Sequence, residues 1–303
     1  MTTVLGTPVD SPAPSRARTA SGSWEHQRRR VTVILFIAPL TVMVVLFVVP
    51  LAVLLWLSFF GDDGFSIQAY AELTRPVYVN LMLFTLRLAF SVTLICVVIG
   101  YPIAYLLANM PGTSARWMTL ALLVTLWFSV LARTYSWIII LQRNGLLNTI
   151  LIWSGLTDAP LGLVYNQIGV YIGMVHILLP FMVMTLVPML RAIDPQLLRS
   201  ALSLGANPRK TFWRVYFPLS LPGVVAGSIL VFTMALGFFI TPAILGGGRA
   251  STIVMAIKDQ VQVLVDLQLA AATSVMLLVV SIGILLIYEK AAGVDRIFGT
   301  GRP

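Results

Sequence analysis

The chain has 303 residues, 58% of them hydrophobic and only 10% charged, and its twenty Lys and Arg against eleven Asp and Glu leave a net charge of +9. An ordinary soluble domain carries about 25% charged residues, so the composition excludes a soluble globular protein: the apolar surplus needs lipid as its solvent. The single cysteine, Cys96, lies in an apolar stretch, which excludes a disulfide framework and any cysteine-held zinc or iron–sulfur site.

Residues 1–30 are rich in Thr, Ser, Pro, Ala and Arg without apolar periodicity, and they read as a flexible tail. From Val31 to Gly61 no charge interrupts the apolar run. It is longer than a signal-peptide core and lacks a convincing cleavage site, so it predicts a retained transmembrane helix. Further spans are predicted at about 80–108, 117–142, 168–190, 218–245 and 267–288. Each holds the roughly 20 apolar residues that cross about 30 Å of hydrocarbon. The stretch 144–157 is apolar but short and broken by Gly145 and Gly155, which favours a surface or re-entrant helix over a seventh span. The expected fold is an all-α polytopic membrane protein: six helices over 31–290, a loop at 191–217, and a C-terminal tail at 291–303.

Charge then sets direction. Arg16, Arg18, Arg28, Arg29 and Arg30 of the tail fall on one side with Arg116, the five basic residues of 191–217, and Lys290, Arg296 and Arg302. The other side has Arg75, Arg143, Arg249 and Lys258 beside six acidic residues. By the positive-inside rule both termini face the cytoplasm, as an even number of crossings requires. The excess therefore records topology and gives no reason to expect a nucleic-acid partner; the lipid bilayer is the first partner.

No engine is visible in the chain. The P-loop pattern is missing, as are H-E-x-x-H and G-x-S-x-G, and the two histidines, His26 and His176, lie far apart. No metal site is expected. No acidic residue falls inside a predicted span, which argues against a carboxylate proton relay. Energy must come from another subunit or from a gradient read in a subtler way, as in an ATP-independent channel or secondary transporter.

Asp194 to Pro222 is the most informative segment. Asp194 caps a helix with Pro195 at its first position, where the missing N–H costs nothing. Leu197, Leu198, Ala201 and Leu202 make one apolar face at helical spacing. Gly205 suits the left-handed position that ends a helix. Asn207-Pro208 restarts a second helix carrying Arg209, Lys210, Phe212, Trp213 and Arg214, with Pro218 and Pro222 where the chain meets the membrane. A basic connector attracted to anionic lipid explains the charges, but not the paired caps, the bend and the prolines together.

This segment resembles the conserved loop of ABC importer permeases, E-A-A-x-x-x-G-x(9)-I-x-L-P. Gly205 and Pro218 align, with Ala201 at the second alanine, Val215 at the isoleucine and Phe217 at the leucine; Arg199 stands at the glutamate and Ser200 at the first alanine. Arg133–Asn148 (R-T-Y-S-W-I-I-I-L-Q-R-N-G-L-L-N), Leu179–Val183 (L-P-F-M-V) and Ala235–Gly247 (A-L-G-F-F-I-T-P-A-I-L-G-G) are similar to permeases of the spermidine/putrescine type. The resemblance implies a type I permease fold and transport of a polyamine or related cation across a bacterial inner membrane. It also implies a second permease subunit, two cytoplasmic ABC ATPase subunits and an extracytoplasmic solute-binding protein as partners. No cofactor would be bound by this chain; ATP and Mg would be used by the ATPases. Coupling would fall to Asp194, Pro195, Leu198, Arg199, Ser200, Ala201, Gly205, Ala206, Phe212 and Pro218.

Within the spans, Trp127, Arg133, Tyr135, Phe238, Thr241 and Pro242 are the candidates for a substrate path. Trp127 and Tyr135 offer cation–π faces to an ammonium, or anchor an interfacial belt, the better reading for Trp137. Arg133, about 16 residues into the third predicted span and ~24 Å along it at 1.5 Å per residue, is either functional or interfacial. Arg87 has the reach to snorkel. His176 reads as a helix-packing hydrogen bonder, and Phe238 stands where some relatives carry an acid.

Overall fold

The computed structural model describes residues 21–61 and 64–292. The predicted tail thus lies outside the described residues over 1–20, as does 293–303 of the C-terminal one. The chain divides into two units, 1–53 and 54–303; the described part of the first is the helix α1 up to Val53.

Helix α1 (Ser21–Phe59) starts ten residues before the predicted tail ends. Glu25, Gln27 and Arg28 to Arg30 are good helix formers, and an established helix extends through such residues cheaply once nucleated. A short hairpin follows, β1 (Phe60–Gly61) pairing antiparallel with β2 (Gly64–Phe65). Next come α2 (Gln68–Leu73) and the long α3 (Pro76–Asn109). α3 ends at Met110, which is extended because the residue before Pro111 disfavours helical geometry.

The third predicted span is not one helix. It consists of α4 (Gly112–Trp127) and α5 (Val130–Leu141), separated at Phe128 and Ser129, which are both extended. The paired segments 112–127 and 130–153 are bent by 98°. Arg133 therefore cannot be placed by counting along a straight rod, and the depth of ~24 Å expected from 1.5 Å per residue is withdrawn. The stretch 144–157 holds only the eight-residue α6 (Leu146–Trp153), too short to cross.

Helix α7 (Gln167–Arg191) is capped by Asn166, whose side chain accepts from the Gly169 N–H at 3.0 Å. Then follow α8 (Pro195–Ser203), α9 (Pro208–Thr211), a wide π-helical turn at Phe212–Tyr216, and α10 (Phe217–Leu236). The fifth predicted span, 218–245, is likewise interrupted: α10 stops before Gly237, and α11 (Ile240–Leu245) is a separate turn. α12 (Ile253–Gln262) and α13 (Leu267–Ala292) complete the described chain. Among the described residues, five helical stretches are long and apolar enough to span a membrane, six if the bent pair is counted as one.

The core of the second unit is α3, α7 and α10. Met174, Leu178, Met182 and Leu186, four residues apart on one face of α7, are fully buried with Leu88, Val92 and Cys96 of α3 and Val231 of α10. Lipid tails are as apolar as leucine, so spanning helices associate through close packing over small residues. Gly100 of α3 and Gly227 of α10 supply it: a Cβ on either would stand 3.0 Å from Met182 Cγ or 2.7 Å from Met182 Sδ. At Gly223 the same atom would meet Met189 Cβ at 2.8 Å.

Candidate functional site

Two regions carry the residues singled out in the sequence. In the first, Asp194 Oδ1 accepts from the Gln196 N–H at 2.8 Å and Pro195 opens α8. Gly205 takes φ +85° and ends the turn, while Asn207 Oδ1 accepts from the Lys210 N–H at 2.8 Å to start α9. The apolar face is divided. Leu198 and Ala201 turn toward the core, and Leu197, Leu202 and Leu204 are exposed, Leu204 at 88%. Arg199 and Ser200 line a shallow depression on the outer side of α8 with Gln196, Ser203 and Leu204. Ala206 is half-buried between the two helices.

The second helix of this segment does not stop at the prolines. α9 passes through the wide turn directly into α10, with the Phe217 N–H donating to the Phe212 carbonyl five residues back. That register change precedes Pro218, which has no N–H to donate, so the helix absorbs the proline without breaking.

Phe212 is the hub. Its ring lies edge-on to Tyr105 at 5.7 Å and to Tyr101 at 6.3 Å, both on α3, and stacks on Tyr216 at 5.9 Å. Tyr105 also meets Tyr216 at 5.1 Å, and Tyr101 meets Phe217 at 5.7 Å. Aromatic pairs of this geometry contribute roughly 0.5–1.5 kcal/mol each beyond burial. The Tyr101 and Ser220 hydroxyls are bonded at 2.9 Å, and Arg191 donates to the Leu107 carbonyl at 3.1 Å. The Phe212 cluster thus joins the end of α9 to α3 and α10 through packed aromatic rings. Tyr101, Tyr105 and Tyr216 were not singled out from the sequence; the signal for them was two tyrosines four residues apart, the spacing that puts side chains on one helix face.

The second region is the bend. Thr134 of α5 and Thr241 of α11 are fully buried, with hydroxyls 3.2 Å apart. Beside them Gly173 of α7 leaves room, since a Cβ there would meet Thr241 Cγ2 at 2.7 Å and Leu245 Cδ1 at 2.6 Å. Pro242 is buried on α11, and Phe238 packs against the core just past the end of α10. Trp137, expected as a belt anchor, turns toward α7: its indole N–H donates to His176 Nδ1 at 3.1 Å, and the rings meet edge-on.

Arg133 lies one turn before Trp137 on α5. Its Nε and Nη1 are buried with no hydrogen-bond partner. Tyr135, two residues on and 56% exposed, points to the other side of the helix, and Trp127 at the end of α4 is 91% exposed. The structure thus brings Thr241 of α11 against Thr134 of α5, the residue after Arg133, while Trp127 and Tyr135 stand on open faces. Among the described residues no three His, Cys, Asp or Glu side chains come together as metal ligands do.

No protein-family model matches the chain. It is 39% identical over 228 residues to the spermidine/putrescine transport system permease protein PotB of Salmonella typhimurium strain SL1344, covering 75% of this chain and 79% of the relative. The protein of the same name from Escherichia coli K12 is 38% identical over 228 residues, 75% of this chain and 83% of its own length. Among solved structures, a chain of a bacterial alginate ABC transporter, in complex with an alginate pentasaccharide-bound periplasmic protein, superposes with TM-score 0.77 at 16% identity, over 92% of this chain and 99% of that one.

Proposed function

The chain belongs to the spermidine/putrescine-type family of ABC importer permeases, and from that premise we propose how it works and what it carries. It is the membrane-spanning permease subunit of the importer, in the bacterial inner membrane with both termini cytoplasmic. Two cytoplasmic ATPase subunits using ATP and Mg, a second permease and an external solute-binding protein complete the machine. Closure of the ATPases moves α8, the movement reaches α3 and α10 through Phe212, and the path opens outward to receive solute from the binding protein. The residues of coupling are Asp194, Pro195, Leu198, Arg199, Ser200, Ala201, Gly205, Ala206, Phe212 and Pro218. Arg133, Phe238, Thr241 and Pro242 flank the path, and Trp127 and Tyr135 offer it aromatic faces.

The substrate we propose is a polyamine or a related small organic cation. External loops with six acidic against four basic residues attract cations weakly, and the relatives' names point the same way. Specificity would rest largely with the binding protein, since no candidate span carries a carboxylate to hold an ammonium.

One observation carries this reading above the others: α8 leaves Leu197, Leu202 and Leu204 uncovered by the rest of the chain while the turn behind it is fixed to α3 by the Phe212 cluster. A connector merely lying on lipid would need no such joint. Arg199, on the open side of α8, suits an acidic groove in the ATPase. The test is Phe212→Ala in the reconstituted importer. Basal ATP hydrolysis should persist while binding-protein-stimulated uptake falls at least ~10-fold, the size of effect that one lost contact of about 1.4 kcal/mol produces. Uptake equal to the parent's would refute the joint.

A further inference from the structure

Arg116 and Arg191 belong to different helices and line one groove. Arg116 stands in the second turn of α4, and Arg191 in the last turn of α7. With Met110, Gly112, Thr119 and Leu120 they bound about 500 Å³, within the roughly 300–1,000 Å³ usual for a small-molecule site. Arg191 is held from behind, because its Nη2 donates to the Leu107 carbonyl near the end of α3 at 3.1 Å. A guanidinium has five N–H groups, and this bond uses one. No carboxylate lines the groove. The ion pairs among the described residues, Glu72–Arg75 and Lys258–Asp259, include neither arginine. Asp194, three residues past Arg191, accepts from the Gln196 N–H. Two guanidinium forks without an acid fit an oxyanion, which they grip with paired N–H groups.

The walls of the groove narrow the choice. α4 runs from the loop at 109–116 into the bent span, so Leu120, four residues past Arg116, lies on the same helix face about 6 Å further along it. Leu120 is 40% exposed, and Trp117 beside Arg116 is 69% exposed. Tryptophan gathers at the level of lipid headgroups, which puts Arg116 at that level and Leu120 among the acyl chains. The Thr119 hydroxyl is turned back on the Ala115 carbonyl at 2.7 Å and gives the groove no donor. A cationic mouth over an apolar wall is the complement of a phospholipid and not of a fully hydrated solute. Basic pockets between spanning helices on the cytoplasmic side take anionic headgroups in this way.

We propose that this groove binds a phosphate-type oxyanion presented by an anionic phospholipid of the cytoplasmic leaflet. Arg116 and Arg191 hold the phosphate, and Leu120 and Met110 receive the start of an acyl chain. The site rests on the permease reading above only for its side of the membrane. Through Arg191 and its bond to Leu107, the lipid ties the start of α4 to the ends of α3 and α7, next to the point where α7 hands the chain on to α8.

The experiment uses the full importer, co-expressed with its partner subunits, purified in detergent and stripped of lipid. It is titrated with phosphatidylglycerol or phosphatidylethanolamine, and binding is read by native mass spectrometry. The parent should bind phosphatidylglycerol at least ~10-fold more tightly, and Arg116→Gln and Arg191→Gln should each cut that affinity at least ~10-fold. Arg116→Gln alters an exposed side chain, and its melting temperature without lipid should match the parent's. Arg209→Gln with Arg214→Gln, also exposed and on the same side, should leave the affinity unchanged. Equal affinity for the two lipids, unaltered affinity in the Arg116 and Arg191 variants, an equal loss in the Arg209 and Arg214 variant, or a lower melting temperature of Arg116→Gln without lipid would overturn the proposal. So would inorganic phosphate that displaces the lipid and stabilises the importer as well as it does, because the ligand would then be a free anion. A loss of co-purified ATPase from Arg116→Gln with lipid binding intact would also contradict it, since the arginine would then face that subunit. If the parent chain co-purifies with no permease or ATPase, the permease reading fails, and the same titration of the chain alone still decides this site.

Discussion

Asn148 carries no charge, yet it fixes the loop that closes the bent hairpin. It is fully buried, its amide donates to the Gln142 and Leu161 carbonyls at 3.0 Å each, and its Oδ1 accepts from the Leu161 N–H at 2.8 Å. Asn148→Ala leaves those backbone groups unpaired, which costs about 1–3 kcal/mol for a buried group. Thermal unfolding of the purified chain in detergent should show a clear downward shift, and an unchanged midpoint would contradict this role. Nothing in composition or periodicity marks such a residue: an asparagine that caps, turns or locks looks the same in the sequence, and its partners here lie 6 and 13 residues away. The Trp137–His176 bond is legible only in half. A mid-span histidine predicts a hydrogen bond between helices, but Trp137 as its donor depends on the bend, which no local pattern announces. For this pair, a double-mutant cycle of Trp137→Phe and His176→Phe should give a coupling of about 0.5–1.5 kcal/mol; independent effects would mean that the bond contributes nothing.

At the scale of elements, the ends of α8 and α9 were readable because capping is local: Asp194, Pro195, Gly205, Asn207 and Pro208 act within one turn of their own position. Gly205→Pro is the sharpest probe. Gly205 holds φ +85° and its N–H donates to the Leu202 carbonyl at 3.0 Å, whereas proline is locked near −65° with no N–H. ATP hydrolysis should continue, uptake should fall at least ~10-fold, and the variant should still reach the membrane; normal uptake would contradict a coupling role for the bend between α8 and α9. The continuity of α9 into α10 was hidden, since two prolines ordinarily mean a break and only the wide turn at Phe212–Tyr216 avoids it. The interruptions of spans three and five were hidden for the opposite reason, because apolar runs persist through 117–142 and 218–245 whether or not the helix does. Packing gives a further prediction. Gly227→Leu would drive a side chain into Met182, already pinched between α3 and α10. Overpacking of this kind costs typically about 1–3 kcal/mol. The melting temperature of the purified chain should drop, and Met182→Ala should recover part of the loss; no drop would mean that α7 and α10 are not closely packed there.

For the whole molecule, the low charge and the +9 excess lead to different conclusions. The low charge identifies a membrane protein, and the positions of the basic residues give the orientation expected from the positive-inside rule, with five of them gathered in 191–217 beside the one acid, Asp194. In the proposed function, that cluster, the exposed leucines of α8 and the aromatic joint at Phe212 belong to a subunit that receives force and does not generate it. Transport should therefore belong to the assembly. The most direct measurement is uptake of labelled putrescine into liposomes containing this chain alone or with its permease, ATPase and binding-protein partners, with and without ATP. Uptake should occur only in the full assembly with ATP and loaded binding protein; uptake by the chain alone, without ATP, would contradict the account.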